Sequence, residues 1–332
     1  MGPAFFILSS GRSGSTLLAS MLNMHPQVHV PVELFGLYSA LPRALAWYGD
    51  LRRDYNRRLL ARDLSYLGQL AEFGVRFDVE GFIGRLERSG TGLAAVVSCF
   101  YETLRVDAGK PLLGDKTPNH TPQLPLIEQL FPAMRVVHLV RDGRDCAASS
   151  QRARRGINQR NVYELARLWP RNNTAIAAFG ARHPGRYHRL HYEELIGDPA
   201  GSLARLCGFL DLSFDPAMLE FPSGEFARRN ATLLDQHANL ARGVLVDNRG
   251  KWRSTLGERE VRLYEFMAGD ALRRFGYSLS TPAHDEPALR LVGQAATGYR
   301  RLRRGLRAAR IEGTRWLAIV AKRFAHRRPS AA

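Results

Sequence analysis

The feature that most constrains this chain is its first strand-sized run, together with the loop and helix directly behind it. Ala4-Phe5-Phe6-Ile7-Leu8-Ser9 is apolar on both of the faces a strand would present. It gives way at once to Ser10-Gly11-Arg12-Ser13-Gly14-Ser15-Thr16, and then Leu17, Leu18, Met21 and Leu22 fall at helical spacing up to the His25-Pro26 breaker. An alternation-free apolar run reads as a strand buried on both sides, as in a parallel sheet covered by helices. Strand, tight loop and helix in direct succession expose backbone N–H groups at the positive end of a helix, which suits a phosphate or sulfate. Gly11 and Gly14 let the backbone approach the anion, Ser13, Ser15 and Thr16 line the loop with hydroxyls, and Arg12 adds a cation. The alternative is an ordinary strand-to-helix turn rich in small residues.

The same alternation recurs along the chain. Strand candidates are Val28–Val30, Pro111–Gly114, Arg135–Val140 and Tyr187–His191. Helical spacing predicts helices over 122–130, 143–151, 162–181, 200–210 and 258–275, the last with Gly276 as a natural stop. Residues 35–107 read as mainly helical, with arginines on their polar faces. The expected fold is α/β, a P-loop-type, mostly parallel sheet flanked by helices. The organisation expected is a domain over 1–280 and a basic helical tail over 285–332, separated near Ser278–Pro287.

Composition enters by exclusion. No apolar run approaches the ~18 residues of a membrane-spanning helix, and the amino terminus lacks the basic region of a signal peptide. Cys99, Cys146 and Cys207 lie far apart, supporting neither a disulfide framework nor a zinc site, so no metal is expected and a reducing, cytoplasmic setting fits. The net charge is +17, and +11 of it falls between Arg290 and Ala332, where twelve Arg or Lys residues face one acid, Glu312. Leu302, Leu306, Ile311 and Trp316 give that tail a partial apolar stripe. It reads as a solvated helix packed on the domain, a peripheral membrane contact, or an acidic-partner contact. Sparse aromatics among its arginines (Tyr299, Trp316, Phe324) argue against nucleic acid.

A second anion-binding candidate starts at Arg141, at the carboxyl end of a predicted strand, and reaches Ser149 two helical turns later. The competing reading is a surface ion pair between Arg141 and Asp142. A P-loop kinase or hydrolase is disfavoured: setting Gly14 against the last Walker A glycine puts Ser15 where the lysine belongs and Ser9 where the first glycine belongs. A basic nucleic-acid-binding protein is the third reading.

Together the two segments resemble the sulfotransferases that use 3′-phosphoadenosine 5′-phosphosulfate (PAPS), the bacterial type, with motifs similar to the tyrosylprotein sulfotransferase branch. Gly11 to Leu17 resembles their 5′-phosphosulfate loop, and Leu139 to Ser149 their 3′-phosphate element. Leu22-Asn23-Met24-His25-Pro26-Gln27-Val28 through Glu33 resembles a segment whose Glu is the catalytic base. Gly114-Asp115-Lys116-Thr117-Pro118 resembles one whose Lys contacts the sulfuryl group, Leu190 to Leu195 one whose Tyr, here Tyr192, lies near the nucleotide, and Arg249-Gly250-Lys251 the basic loop that closes over it. The resemblance covers about Ala4–Tyr277 and makes 35–107 an acceptor-side helical insertion.

It implies PAPS as co-substrate and in-line sulfuryl transfer to a hydroxyl acceptor: a metabolite, a lipid, a glycan or a protein tyrosine. Arg12, with Lys116, would stabilise charge growing on the leaving nucleotide, and Glu33 would take the acceptor proton. His25, His29 and His120 are rivals for the base, His25 reading more as a turn residue.

Overall fold

Five short strands lie in one sheet: β1 (Phe5–Ser9), β2 (Val28–His29), β3 (Leu112–Asp115), β4 (Arg135–Val140) and β5 (Tyr187–His191), in the order β2-β3-β1-β4-β5. The structure is a computed structural model and describes residues 2–67, 70–152, 160–280, 282, 285–299, 301–303 and 305. Every neighbouring pair is parallel, with Phe5 opposite both Gly114 and Arg135, Ser9 opposite Leu139, and Val140 opposite His191. Gly114 is required there, because a Cβ would run into the Phe5 ring.

Helices cover both faces. They are α1 (Ser15–Met24), α2 (Leu41–Ala44), α3 (Asp54–Ser65), α4 (Val79–Ser89), α5 (Leu93–Ala108), α6 (Leu124–Leu130), α7 (Gly143–Arg152), α8 (Val162–Arg182), α9 (Tyr192–Gly197), α10 (Pro199–Phe209), α11 (Glu225–Leu233), α12 (Trp252–Thr255) and α13 (Glu258–Arg274). Alternate residues of β1 point to opposite faces. Phe6 and Leu8 join one core with Leu60, Phe82, Phe100 and Phe179, so α3, α4, α5 and α8 close that side. Phe5 and Ile7 join another with Leu18, Leu22, Leu195 and Leu203 from α1, α9 and α10. Burying each large side chain contributes about 1.5–3 kcal/mol, which makes residues 35–107 part of the main core rather than an appendage.

A third core, around Trp169, Trp252 and Tyr264, joins α7, α8, α12 and α13. Beyond the expected boundary the chain becomes helical again over 287–299 and packs back on α8, where Asn161 Nδ2 donates to the Gly293 carbonyl at 3.1 Å. The rest of the expected basic tail, from residue 306, lies outside the described residues.

The crossovers set the site. From β1 the chain moves outward to β2 and returns at β3, then crosses over β1 to reach β4 and β5. The strand order therefore reverses between β1 and β4, and open α/β sheets bind ligands outside the carboxyl ends of their strands at such a switch point.

Candidate active site

Each strand delivers one predicted site residue just past its carboxyl end: Arg12 after β1, Glu33 after β2, Lys116 after β3, Arg141 after β4 and Tyr192 after β5. Arg12, Glu33, Arg141 and Tyr192 border a cleft of about 700 Å³, together with Gly11, Gly14, Ser15, Thr16, Ser149 and Lys251.

The loop after β1 gets its shape from its backbone. Arg12 and Gly14 both take left-handed conformations, with φ of 68° and 89°. A Cβ on Gly14 would also run into the Tyr192 ring, so glycine is needed twice over. Gly11 has no such constraint, since a Cβ there meets nothing within 4 Å; the close-approach argument holds for Gly14 alone. No side chain caps the start of α1 and no acid lies in its first turn, which leaves its N–H groups to the cleft. Ser15 and Thr16 border the cleft, but Ser13 turns inward and donates to the Ser10 carbonyl at 2.8 Å. Beside it the Cys146 thiol, 3.6 Å from the Ser13 hydroxyl, is pushed up to about 12 by burial and stays protonated.

The segment after β4 is aimed by distant partners. One Arg141 nitrogen donates to the Asn248 carbonyl at 2.8 Å and another to the Arg12 carbonyl at 3.3 Å, and the guanidinium sits 4.3 Å from the centre of the Tyr192 ring. Asn248 in turn donates to the Tyr192 hydroxyl at 2.7 Å. Arg141 Nε is buried with no partner, an orphan that an anion in the cleft would satisfy. The surface ion pair between Arg141 and Asp142 does not form: Asp142 is taken by Arg144, which also reaches Glu265. Arg12 Nε donates to Ser149 Oγ at 3.2 Å, so the two anion segments meet in one cluster. Burial, and then the neighbouring Arg141, lowers the affinity of Arg12 for its proton.

Lys116 is 2% exposed beneath the cleft, and its Nζ donates to Glu33 Oε1 at 2.9 Å and to Thr16 Oγ1 at 3.3 Å. The backbone beside Glu33 is clamped on both sides. Leu34 N–H donates to Thr117 Oγ1 at 2.9 Å, and the Leu34 carbonyl accepts from His120 Nε2 at 3.1 Å. His120 Nδ1 lies 3.2 Å from Asp115, whose other oxygen accepts from Tyr101 at 2.7 Å. Burial raises the Asp115 carboxyl, but His120, Tyr101 and Thr117 outweigh it and hold the group below its ordinary range.

The rival histidines are therefore placed by structure. His120 is a strut, and His25 bridges the Ser213 carbonyl and the Gln27 N–H. His29, on the last residue of β2, does not border the cleft.

Residues 234–251, read without a role from the sequence apart from the basic loop at its end, form the opposite wall. His237, Asn248 and Lys251 border the cleft there, with Leu234, Leu240 and Leu245. Burial, then Lys116 and Arg12, lowers His237 to about 3, and its Nδ1 has no partner. A lone histidine in a segment without periodicity carries no local signal. Asp145 fastens the end of this wall to α7, accepting from Gly250 N–H at 2.7 Å and Trp252 N–H at 2.9 Å. Lys251 reaches the cleft; Arg249 does not border it.

The acceptor-side cover expected from 35–107 touches the cleft only through Phe35. The apolar faces of α3–α5 are committed to the sheet, and Arg57, Arg58 and Arg105 pair with Asp54, Glu80, Glu87 and Glu102.

The donor set of guanidinium, ammonium, hydroxyl and helix N–H groups around the Glu33 carboxylate fits a polyanion. Among the described residues no group of three or more His, Cys, Asp or Glu is placed to hold a metal ion, and no helix is long and apolar enough to cross a membrane.

Residues 3–216 match the model of the Sulfotransferase family. The chain is 28% identical over 322 residues to nodulation protein NoeE of Sinorhizobium fredii, covering 90% of this chain and 71% of that protein. It is 24% identical over 296 residues to protein-tyrosine sulfotransferase A of Caenorhabditis elegans, covering 86% and 70%. It spans only 30% of a longer Aquifex aeolicus protein that it also matches. Among solved structures, the sulfotransferase domain of the Synechococcus PCC 7002 olefin synthase superposes with a TM-score of 0.61 at 27% identity, covering 84% of this chain and 96% of that domain.

Proposed function

We propose, from the premise that the chain belongs to the sulfotransferase family, that its cleft binds PAPS and passes the sulfuryl group to a hydroxyl acceptor. The observation that carries this reading is the convergence of Arg12 and Arg141 on one cleft whose bordering acid, Glu33, is paired from beneath by Lys116. When bound, PAPS supplies the sulfuryl group and a nucleotide leaving group on which negative charge grows.

Arg141, Ser149 and the orphaned Arg141 Nε hold one anionic end. The α1 N–H groups, Ser15 and Thr16 hold the other. Arg12 and Lys116 neutralise developing charge, which is where a fixed cation acts most strongly. Glu33 accepts the acceptor's proton; its ion pair with Lys116 aims it, and the clamp on Leu34 fixes its backbone. Tyr192 packs against Gly14 and Arg141 and walls the nucleotide side, while the Asp145-anchored segment with Gly250 and Lys251 covers it. Phe35 with Leu234, Leu240 and Leu245 offers the acceptor an apolar wall, which suits a hydroxyl on a hydrophobic framework, such as a phenol or lipid, better than a highly charged one.

Titration calorimetry tests the donor. Adenosine 3′,5′-bisphosphate should bind more tightly than ATP without magnesium, and a preference for magnesium-ATP would overturn the assignment in favour of a kinase or hydrolase. Glu33→Gln should retain nucleotide binding and lose ~10²–10⁴-fold in turnover with PAPS; full activity would remove Glu33 from the role of base.

A further inference from the structure

The helix over 287–299, helical again at 301–303, has two unlike faces. One is fixed to the body. Gly293 packs on Tyr163 so closely that a Cβ would collide with its ring, and Asn161 donates to the Gly293 carbonyl. Thr297 is buried on the same side, and Glu286 at the foot of the helix accepts from Arg259 and Arg262 at 3.1 and 2.9 Å. The other face is apolar and bare: Leu291, Val292, Tyr299 and Leu302 are 62%, 68%, 63% and 62% exposed. At 100° per residue these positions, with Ala295, fall within an arc of about 100°. In sequence Leu306 follows at the next four-residue step.

We propose that this face is a membrane-docking surface whose partner is an anionic lipid bilayer. The packed side of the helix fixes the bare stripe outward, so the body would sit above the bilayer with the stripe in the headgroup boundary. An apolar stripe beside a dense positive charge is the pattern of a helix lying in a membrane interface. Arg303 borders the stripe, and residues 290–332 carry a net +11. That charge opposes association with a second copy of the same surface and complements anionic headgroups. Nucleic acid would meet the charge and leave the stripe exposed to water. The proposal does not depend on the donor or the base assigned above.

The test is co-sedimentation of the full chain with vesicles of phosphatidylcholine alone or with about one third phosphatidylglycerol, beside a variant carrying Leu291→Ser, Val292→Ser, Tyr299→Ser and Leu302→Ser. These positions touch neither core nor cleft, and the variant keeps every charge. Anionic vesicles should bind the chain at least about tenfold better than neutral ones, and the variant should lose about tenfold or more. Its circular dichroism and transfer activity in solution should be unchanged. Three results would each overturn the proposal: equal or absent binding to both vesicles, a variant that binds as well as the parent, or a stripe-dependent dimer in light scattering.

Discussion

The two anion-gripping segments reach the same cleft by opposite routes. After β1, the grip is built from seven contiguous residues, from the φ values of Arg12 and Gly14 to the uncapped start of α1. After β4, the grip is one side chain, Arg141, held by Asn248 107 residues away, by the Arg12 carbonyl 129 residues away and by the Tyr192 ring. The first is a local backbone device that forms wherever strand, turn and helix form. The second exists only once four segments have packed. Damage should therefore separate the two: changes in the first cost chemistry with little stability, and changes in the second cost both.

The strongest way to break that contrast is a pair of alanine variants. Arg12→Ala should lose ~10²–10³-fold in kcat/KM with PAPS, as removal of a charge-stabilising donor does, with the melting temperature nearly unchanged. Arg141→Ala should lose nucleotide affinity to a similar extent, and in addition about 1–3 kcal/mol of stability, because two carbonyls lose their donor. Equal melting temperatures in the two variants would erase the distinction. Calorimetry and thermal denaturation decide it.

Asp145→Ala sharpens it without touching the cleft. Freed of the two backbone N–H groups of Gly250 and Trp252, the 248–252 segment should loosen and carry Asn248 away from Arg141. The expected result is a KM for PAPS raised roughly 10–50-fold with kcat within a few-fold, as for about 1–3 kcal/mol of lost support. A change confined to kcat would place Asp145 in the chemistry instead.

Acid gives a third comparison, on stability. Burial holds His29 at about 4 and His138 and His237 at about 3, with Lys110 adding to the effect at His29 and Lys116 and Arg12 adding at His237. The unfolded chain binds these protons near 6.5 and the folded chain does not, so this contribution is complete above about pH 6.5 and drains as the pH falls toward 3–4. Melting temperature should fall across that window, and His237→Gln should make the fall shallower by about one proton. A flat profile from pH 7 to 4 would contradict the burial of these rings.

Ser149→Ala is the mildest change. It removes one hydroxyl at 3.2 Å from Arg12 Nε, worth about 1 kcal/mol or a few-fold in nucleotide affinity, and should leave turnover intact.

The same physics explains how much was legible in the sequence. The strand at 135–140 was readable to the residue because its apolar run is local, and the one at 187–191 because the His183-Pro184-Gly185 breaker directly ahead of it is. The helical nature of 35–107 was readable too, but not its place: helical periodicity says that a face is buried, not against what. Read locally, a surface pair between Arg141 and Asp142 was the better reading; only the claim of Arg144 on Asp142 decides otherwise. The wall from 234 to 248 had no signal, since His237 and Asn248 gain meaning only from neighbours far along the chain.

By itself, then, the amino-acid order determined a parallel α/β sheet, a helix-terminal anion loop at Gly11–Thr16 and the absence of a Walker lysine, because backbone conformation and hydrophobic periodicity act over a few residues. Only the tertiary structure decided that Glu33 pairs with Lys116 across 83 residues, that Arg12 and Arg141 share one cleft, and that His237 faces them. Charge and hydrogen-bond partners are chosen by proximity in space, and the crossover between β1 and β4 creates that proximity.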